Sequence, residues 1–421
     1  MKKGLLVSFL IASVFGAFAN NNDAIEENKK SVSSETGMIE ENISSPSNNV
    51  LQLSAQTSTS APNLQQMEEK LTTWQKIVAN LPKISGYLQT GFAYNSLGNH
   101  TASFQAKRLR LILDGNVTEK ISFRLQIEAF NGIAGSVNGN GQKNLQVMDA
   151  FATYKLSPGF QIRAGQFYTP IGYENYDISP ATLETVDFSN ICYRMVCRNA
   201  IGYDFVDYGR DLGIMFMGDI MPDKEKGFSH LSYNFAVTNG HLPAKDDNNK
   251  SKDIIAALTV RPVKDFNLKV GYNWGEYKPW NPNSDTFAGV GNYQSMNRFV
   301  VGAWYNNPTG LDLRAEFGNI IAKNNGYELV KETGFYLLAA YRIGGYRWLP
   351  VLRYDMYHDS VNKYSLNNYN RGLAGLTYQP HPNVKIQLNY LLSFYSKEVA
   401  DVSNNGKKNS SQLLLMGLFK F

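Results

Sequence analysis

The chain has 421 residues, a formal net charge of +5, and 13% aromatic residues, with 25 Tyr and 23 Phe. Beyond its first nineteen residues it has no run near the ~20 apolar residues that a spanning helix needs, which excludes a helical membrane protein. Aromatic and glycine enrichment without long apolar runs leaves a secreted β-sandwich or a membrane β-barrel, and no nucleic-acid motif accompanies the small positive excess.

Lys2 and Lys3, the apolar stretch Leu5 to Phe15 and the small-x-small site Ala17-Phe18-Ala19 predict a secretory signal peptide over residues 1–19. Asn20, not Cys, follows the cut, which argues against a lipid-anchored product. Residues 20–63 are rich in Asn, Ser, Thr and Glu and hold no aromatic, the composition of a disordered periplasmic linker. Residues 64–82 predict a coiled-coil helix. Leu64, Met67, Leu71, Trp74, Val78 and Leu81 form its seam and Pro82 stops it. A seam this short does not hold an isolated pair. It predicts association of chains already held side by side by their barrels, with docking on the chain's own barrel as the alternative.

From Ile84 the period changes to two. Leu109, Leu111 and Leu113 oppose Arg108, Arg110 and Asp114, and Phe123, Leu125, Ile127 and Ala129 oppose Arg124, Gln126 and Glu128. Further on, Phe266, Leu268, Val270, Tyr272 and Trp274 oppose Asn267, Lys269 and Asn273. Val384, Ile386, Leu388 and Tyr390 oppose Lys385, Gln387 and Asn389. An apolar face against a charged face, repeated this often, predicts lipid outside and water inside. About sixteen such segments occur between 84 and 421. Their connections alternate between tight turns (Asn116–Lys120, Ser157–Gly159, Pro262–Asp265, Pro380–Asn383) and long polar loops (131–144, 171–209, 277–296). That asymmetry predicts an all-β fold, a transmembrane antiparallel barrel over 84–421 with both chain ends on the short-turn, periplasmic rim. The chain closes on the alternating strand Ser410 to Phe421. A final strand ending in Phe is the expected mark of a barrel in the outer membrane of a Gram-negative cell.

A barrel of this size leaves an aqueous channel, so selectivity must come from whatever narrows it. The longest connection, 171–209, is predicted to fold inward as the constriction, an extracellular flap being the alternative. It carries Glu174, Asp177, Glu184, Asp187, Asp204 and Asp207 against Arg194 and Arg198. Across from it, Arg108, Arg110, Arg124, Arg163, Arg298 and Arg353 are candidates for the solute path, with Arg314 and Arg342 on similar faces. Two readings stand together. Opposed charge rows orient permeating solutes, or the arginines pair with loop carboxylates and hold the loop to the wall. Cys192 and Cys197, five apart in the same loop, suggest a disulfide in an oxidising compartment, with free thiols or a metal pair as alternatives.

Asp149-Ala150-Phe151, Arg163-Ala164-Gly165-Gln166-Phe167, Pro170-Ile171-Gly172-Tyr173-Glu174, Gly209-Arg210-Asp211-Leu212-Gly213 and Tyr233 to Gly240 (YNFAVTNG) resemble conserved blocks of the phosphate-selective porin O and P family. The resemblance covers roughly 84–421 and implies a homotrimeric, sixteen-stranded outer-membrane porin with a preceding periplasmic coiled coil. Its partners would be outer-membrane lipid and small hydrophilic or anionic solutes, with no cofactor and no metal. The phosphate-specific members carry lysines at the constriction. Here loop 171–209 has no lysine and holds six carboxylates against two arginines, so the resemblance carries fold and pore formation rather than phosphate specificity.

The function expected is passive diffusion of small hydrophilic solutes, with anions such as phosphate among the candidates. The alternative is a solute-binding or adhesion barrel acting through its exposed loops within a larger uptake complex, for which Tyr277, Trp280, Phe287 and Tyr293 supply stacking surfaces. An enzyme is not expected: His100, His230, His241, His358 and His381 show no spacing that suggests a triad or a metal site.

Overall fold

In the computed structural model the described residues are 81–97, 101–130, 145–196, 209–240, 251–277, 280–281, 286–287, 293–307, 310–323, 330–343, 347–360 and 363–421. The expected signal peptide, linker and all of the coiled-coil seam but Leu81 fall outside them, as do Cys197, Arg198, Asp204 and Asp207.

Sixteen strands alternate hydrogen-bonded partners around a closed antiparallel barrel. They are β1 (Lys83–Asn95), β2 (Thr101–Asn116), β3 (Ile121–Glu128), β4 (Gln146–Ser157), β5 (Phe160–Tyr168), β6 (Arg210–Asp223), β7 (Phe228–Thr238) and β8 (Asp253–Val263). The second half comprises β9 (Phe266–Tyr277), β10 (Gln294–Asn306), β11 (Leu311–Ala322), β12 (Val330–Tyr341), β13 (Trp348–Asp359), β14 (Tyr369–His381), β15 (Val384–Phe394) and β16 (Asn409–Lys420). Each strand pairs with the next, and β16 returns to β1 in the register Tyr87↔Lys420 to Asn95↔Gln412. At that seam Gly86 and Phe421 exchange backbone hydrogen bonds of 3.0 and 3.1 Å. Closure removes the open edge that a terminal strand would otherwise present.

The strands begin within about three residues of the positions that the period-two pattern marks, because a two-faced wall fixes register strongly. On β9, Asn267, Lys269 and Asn273 turn inward and are buried, while Leu268, Val270, Tyr272 and Trp274 are each about two-fifths exposed on the outside. The interior departs from the expectation of a wet, polar face. Met215, Ala236, Ile255, Val300, Ile320 and Leu338 also point inward and are almost fully buried. They are apolar because residues 171–196 pack against them, so this arc of the lumen is a core and not a water-filled wall.

Two bulges break the alternation on the other arc. Gln89 pairs with Arg108 but Thr90 with Ala106, leaving Lys107 as the extra residue of β2. Gln126 pairs with Asp149 but Ile127 with Val147, leaving Met148 extra in β4. A bulge lets neighbouring residues share one face, and Met148 and Asp149 are both buried inside.

The outward row Leu258, Val270, Val301, Phe317 and Phe335 runs across five neighbouring strands. Val270→Arg is expected to destabilise the barrel in lipid vesicles by about 2–4 kcal/mol, the cost of a cation at the bilayer midplane. Urea unfolding followed by the gel shift of the folded form measures it, and an unchanged midpoint would place this row away from lipid.

Candidate functional site

The loop after β5 is tied off at its neck. Thr169 N–H donates to Gly209 O at 2.8 Å, and Asn175 Nδ2 reaches Thr169 O at 2.9 Å and Gly209 O at 3.3 Å. Gly209 has φ of 71°, and a Cβ there would lie 1.8 Å from Asn175 Oδ1, so both the backbone and the space require glycine.

Inside the barrel the loop begins with one helical turn, α1 (Tyr173–Tyr176), and ends, within the described residues, in a π-helix over Ile191–Val196. Along its length wall side chains answer its polar backbone at many points. Tyr173 N–H donates to Glu316 Oε1 at 2.6 Å, and the Tyr173 ring lies 4.4 Å from that of Trp304. Asp177 pairs with Lys269 at 2.5 Å. Leu183 O accepts from Gln387 at 3.1 Å and from Lys385 at 3.4 Å, and Glu184 O accepts from Thr377 at 3.0 Å. Val186 N–H donates to Asn389 Oδ1 at 2.7 Å. Arg298 donates to the carbonyls of Met195 and Val196, and Arg353 to those of Asp187 and Phe188.

The sequence-predicted residues therefore divide. Arg298 and Arg353 are 1% and 4% exposed and hold loop carbonyls, which removes them from free contact with solute. Arg353 also pairs with Asp355 at 2.6 Å. Arg314, buried among Glu184 and Asp312 at 2.7 and 2.6 Å, holds the loop through the Glu184 carboxylate instead, while Arg342 sits half-buried beyond the end of β12. Arg110 is taken by Glu128 at 2.8 Å. Arg108 donates to Val186 O at 3.2 Å, to Gln89, and to the Tyr193 hydroxyl at 3.1 Å. The bulge residue Lys107 stands beside it and reaches Asp187 at 2.6 Å. Instead of facing rows across a gap, most wall and loop charges meet directly.

Glu174 and Asp187 behave oppositely. Burial raises the Glu174 carboxyl above its usual range; Oε2 accepts from Ser189 N–H at 2.5 Å and Oε1 has no partner. Burial would also raise Asp187, but Lys107 and Arg108 outweigh it and hold that carboxyl at about 2. Arg194 donates to Asn367 at 2.7 Å on the upper side of the loop. Cys192 is buried in the π-helix, and the disulfide expectation rests on Cys197, outside the described residues.

Two cavities flank the loop and share no lining residue. One, of about 830 Å³, opens at the short-turn rim along β2–β5 and holds Asp114, Arg124, Lys155, Arg163 and the underside of the loop at Asn175–Ser179. Arg124 pairs with Asp114 at 2.7 Å, both about two-fifths exposed. Arg163 stacks over Phe151 at 4.2 Å and donates to Thr153 Oγ1 at 3.1 Å, with no carboxylate at ion-pair distance among the described residues. The other cavity, of about 390 Å³, opens at the loop rim and is lined by Asp187–Arg194 and by β1 and β13–β16.

Residues 83–190 match the family model of the phosphate-selective porins O and P. The match spans about a quarter of the chain and is a similarity over those residues. Its barrel resembles the anion-selective porin from Comamonas acidovorans, with a TM-score of 0.56 at 13% identity over 81% of this chain and 99% of that one. The Salmonella typhi OmpF complex with daunomycin gives 0.58 at 15% identity, covering 81% and 97%. The outer membrane channel DcaP of Acinetobacter baumannii gives 0.52 at 13%, covering 81% and 97%. At these identities the likeness establishes the fold. No curated protein matches the sequence.

Sequence reasoning missed Lys107, Gln387, Asn389 and Thr377 as loop anchors. Inward alternation marks Gln387 and Asn389, but nothing in their residue type announces a loop partner, and the bulge hides Lys107.

The pH response of the loop follows from the two carboxylates. Asp187, depressed to about 2, contributes stability fully present above the ordinary Asp value of about 3.9 and lost as pH falls through about 2. Glu174, raised, costs stability at neutral pH that protonation returns. Acidification from neutrality is therefore expected first to protect the loop against proteolysis and then, toward pH 2, to release it. Glu174→Gln should abolish the protective phase, and Asp187→Asn should loosen the loop at pH 7 by about 3–5 kcal/mol, the cost of stranding a buried partner. Hydrogen exchange of loop amides in the two variants at pH 7 checks the ranking.

Proposed function

We propose that this protein is an outer-membrane porin for passive diffusion of small hydrophilic solutes, with its path along the β1–β5 arc. One observation carries the reading. The loop is packed against the β6–β15 arc by an apolar core, while the cavity at the short-turn rim lies against β2–β5 and keeps charged side chains on its wall. In this reading the short-turn rim is periplasmic, the long loops are extracellular, and residues 1–19, 20–63 and 64–82 serve as signal peptide, linker and coiled coil. The protein assembles as a homotrimer, a state named for the trimer form of the Vibrio cholerae outer membrane protein OmpT, whose barrel is similar.

Selectivity follows from which charges remain unneutralised. Arg163 faces the periplasmic cavity without a carboxylate partner, and Arg124 is held by Asp114. The channel then favours anions weakly, and Lys107 with Arg108 supplies the next cations upward, balanced by Asp187.

Planar-bilayer recording of the purified protein under a salt gradient tests this. A steady conductance with a weakly anion-favouring reversal potential is expected. A unit charge about 4 Å from a permeating ion is worth roughly 1 kcal/mol in water, so Arg163→Gln should lower the anion-to-cation ratio several-fold. Asp114→Asn, which frees Arg124, should raise it. Folded protein without conductance would sink the porin reading and favour a binding barrel, and a ratio indifferent to both variants would move the path elsewhere.

A further inference from the structure

The vestibule at the loop rim contains an arginine of a different kind from those that hold the loop. Arg371 on β14 lies directly across from Ser393 on β15, whose hydroxyl accepts its Nε–H at 2.8 Å. Its guanidinium carbon sits 3.8 Å from the ring centre of Tyr369. Stacking and the serine bond fix the plane of the group and leave its two terminal nitrogens without a partner among the described residues. No described carboxylate lies within ion-pair distance of it. A planar cation held in this way presents a fork that matches a carboxylate in both geometry and charge.

A second group beside it is also unsatisfied. Asn190 lines the same cavity, is 7% exposed, and accepts from the Tyr369 hydroxyl at 2.5 Å. Its Nδ2 has no hydrogen-bond partner, and an amide donor left so buried costs free energy unless something fills the role. Around these two the lining brings the aromatic rings of Phe188, Tyr193 and Tyr395, the polar groups of Ser411 and Gln412, and two further arginines already engaged, Arg353 by Asp355 at 2.6 Å and Arg194 by Asn367 at 2.7 Å. Asp187 is the one acid of the lining, and Lys107 neutralises it at 2.6 Å.

We propose that this vestibule binds small polyhydroxylated carboxylates, the sugar-acid class, with Arg371 as carboxylate receptor and Asn190 as a donor to a hydroxyl. The proposal rests on the porin reading for its place on a solute path. Three features select the class. With Arg353 held by Asp355 and loop carbonyls and Arg194 by Asn367, one open fork remains, which suits a monoanion, whereas phosphate sites gather several available cations or converging backbone N–H groups. Aromatic faces with neutral amides and hydroxyls suit the C–H faces and hydroxyls of a sugar chain. The volume of about 390 Å³ falls in the range of small-molecule sites.

Calorimetric titration of the full-length protein in detergent with sodium gluconate, glucose and inorganic phosphate tests it. Gluconate is expected to bind, glucose and phosphate about tenfold more weakly or worse, as loss of a charged hydrogen-bonded contact implies. Arg371→Gln should reduce gluconate affinity at least about tenfold, and Arg371→Lys, which keeps the charge but not the fork, should fall nearly as far. Lys120→Gln on the opposite rim should leave it unchanged, and migration on unheated gels shows that each variant is folded. Gluconate affinity unmoved by Arg371→Gln would overturn the proposal, as would glucose or phosphate binding equal to gluconate. Because binding is read as heat, a conducting channel without gluconate binding removes this proposal alone. A binding protein without conductance removes only the porin reading.

Discussion

A polypeptide that enters the lumen of a barrel leaves water on both sides of its backbone and must find partners for its N–H and C=O groups. Residues 171–196 find them on the wall, and that requirement explains the interior of this molecule. Arg298, Arg353, Gln387, Lys385 and Thr377 donate to loop carbonyls, while Glu316, Asp355 and Asn389 accept from loop amides. Side chains that would otherwise line a wide pore are consumed in holding its filling. Apolar residues of the same strands then complete the packing, with Ile191, Met195 and Val196 of the loop buried against them.

This division of the lumen determines what charge can do. An arginine bonded to two carbonyls and a carboxylate contributes a field, but it cannot turn toward a passing ion without uncovering buried partners. Pairs such as Arg110 with Glu128 and Arg210 with Asp149, at 2.8 and 3.0 Å, nearly cancel at a distance. Breaking a buried pair of this kind is far more costly than breaking an exposed one. The long-range field is therefore set by a few unpaired cations beside open volume, and a tally of basic and acidic residues overstates both signs.

The barrel was legible in the sequence because each strand has two solvents. Val270 and Lys269 cannot exchange faces without placing a cation in lipid, so alternation alone locates β9 to within a residue. Length and charge suggested an inward course for loop 171–209, and of that loop residues 171–196 are described, bonded to wall side chains. The loop's partners were not legible in the sequence. Lys107 would lie outside by strict alternation, and only the bulge opposite Gln89 and Thr90 brings it to Asp187 beside Arg108. The expectation of a polar interior failed at Met215, Ile255 and Ile320 for a related reason. Strand patterning reports burial against an unknown partner, and it does not distinguish water from a folded-in loop.

Arg163 and Arg371 show how a guanidinium can be held in place without an acid. Each sits opposite a hydroxyl residue on the adjoining strand, Thr153 or Ser393, and each lies over an aromatic ring, Phe151 or Tyr369. A hydroxyl and a ring face orient the guanidinium but leave its charge uncancelled, whereas a carboxylate would orient it and neutralise it together. One such group faces each cavity, below and above the packed loop. The two groups lie on different arcs of the wall, Arg163 on β5 and Arg371 on β14, on either side of a layer in which charges are matched. An uncancelled cation beside open volume keeps its field, whereas in the layer between them each cation sits a few ångströms from its acid and the two fields nearly cancel at a distance.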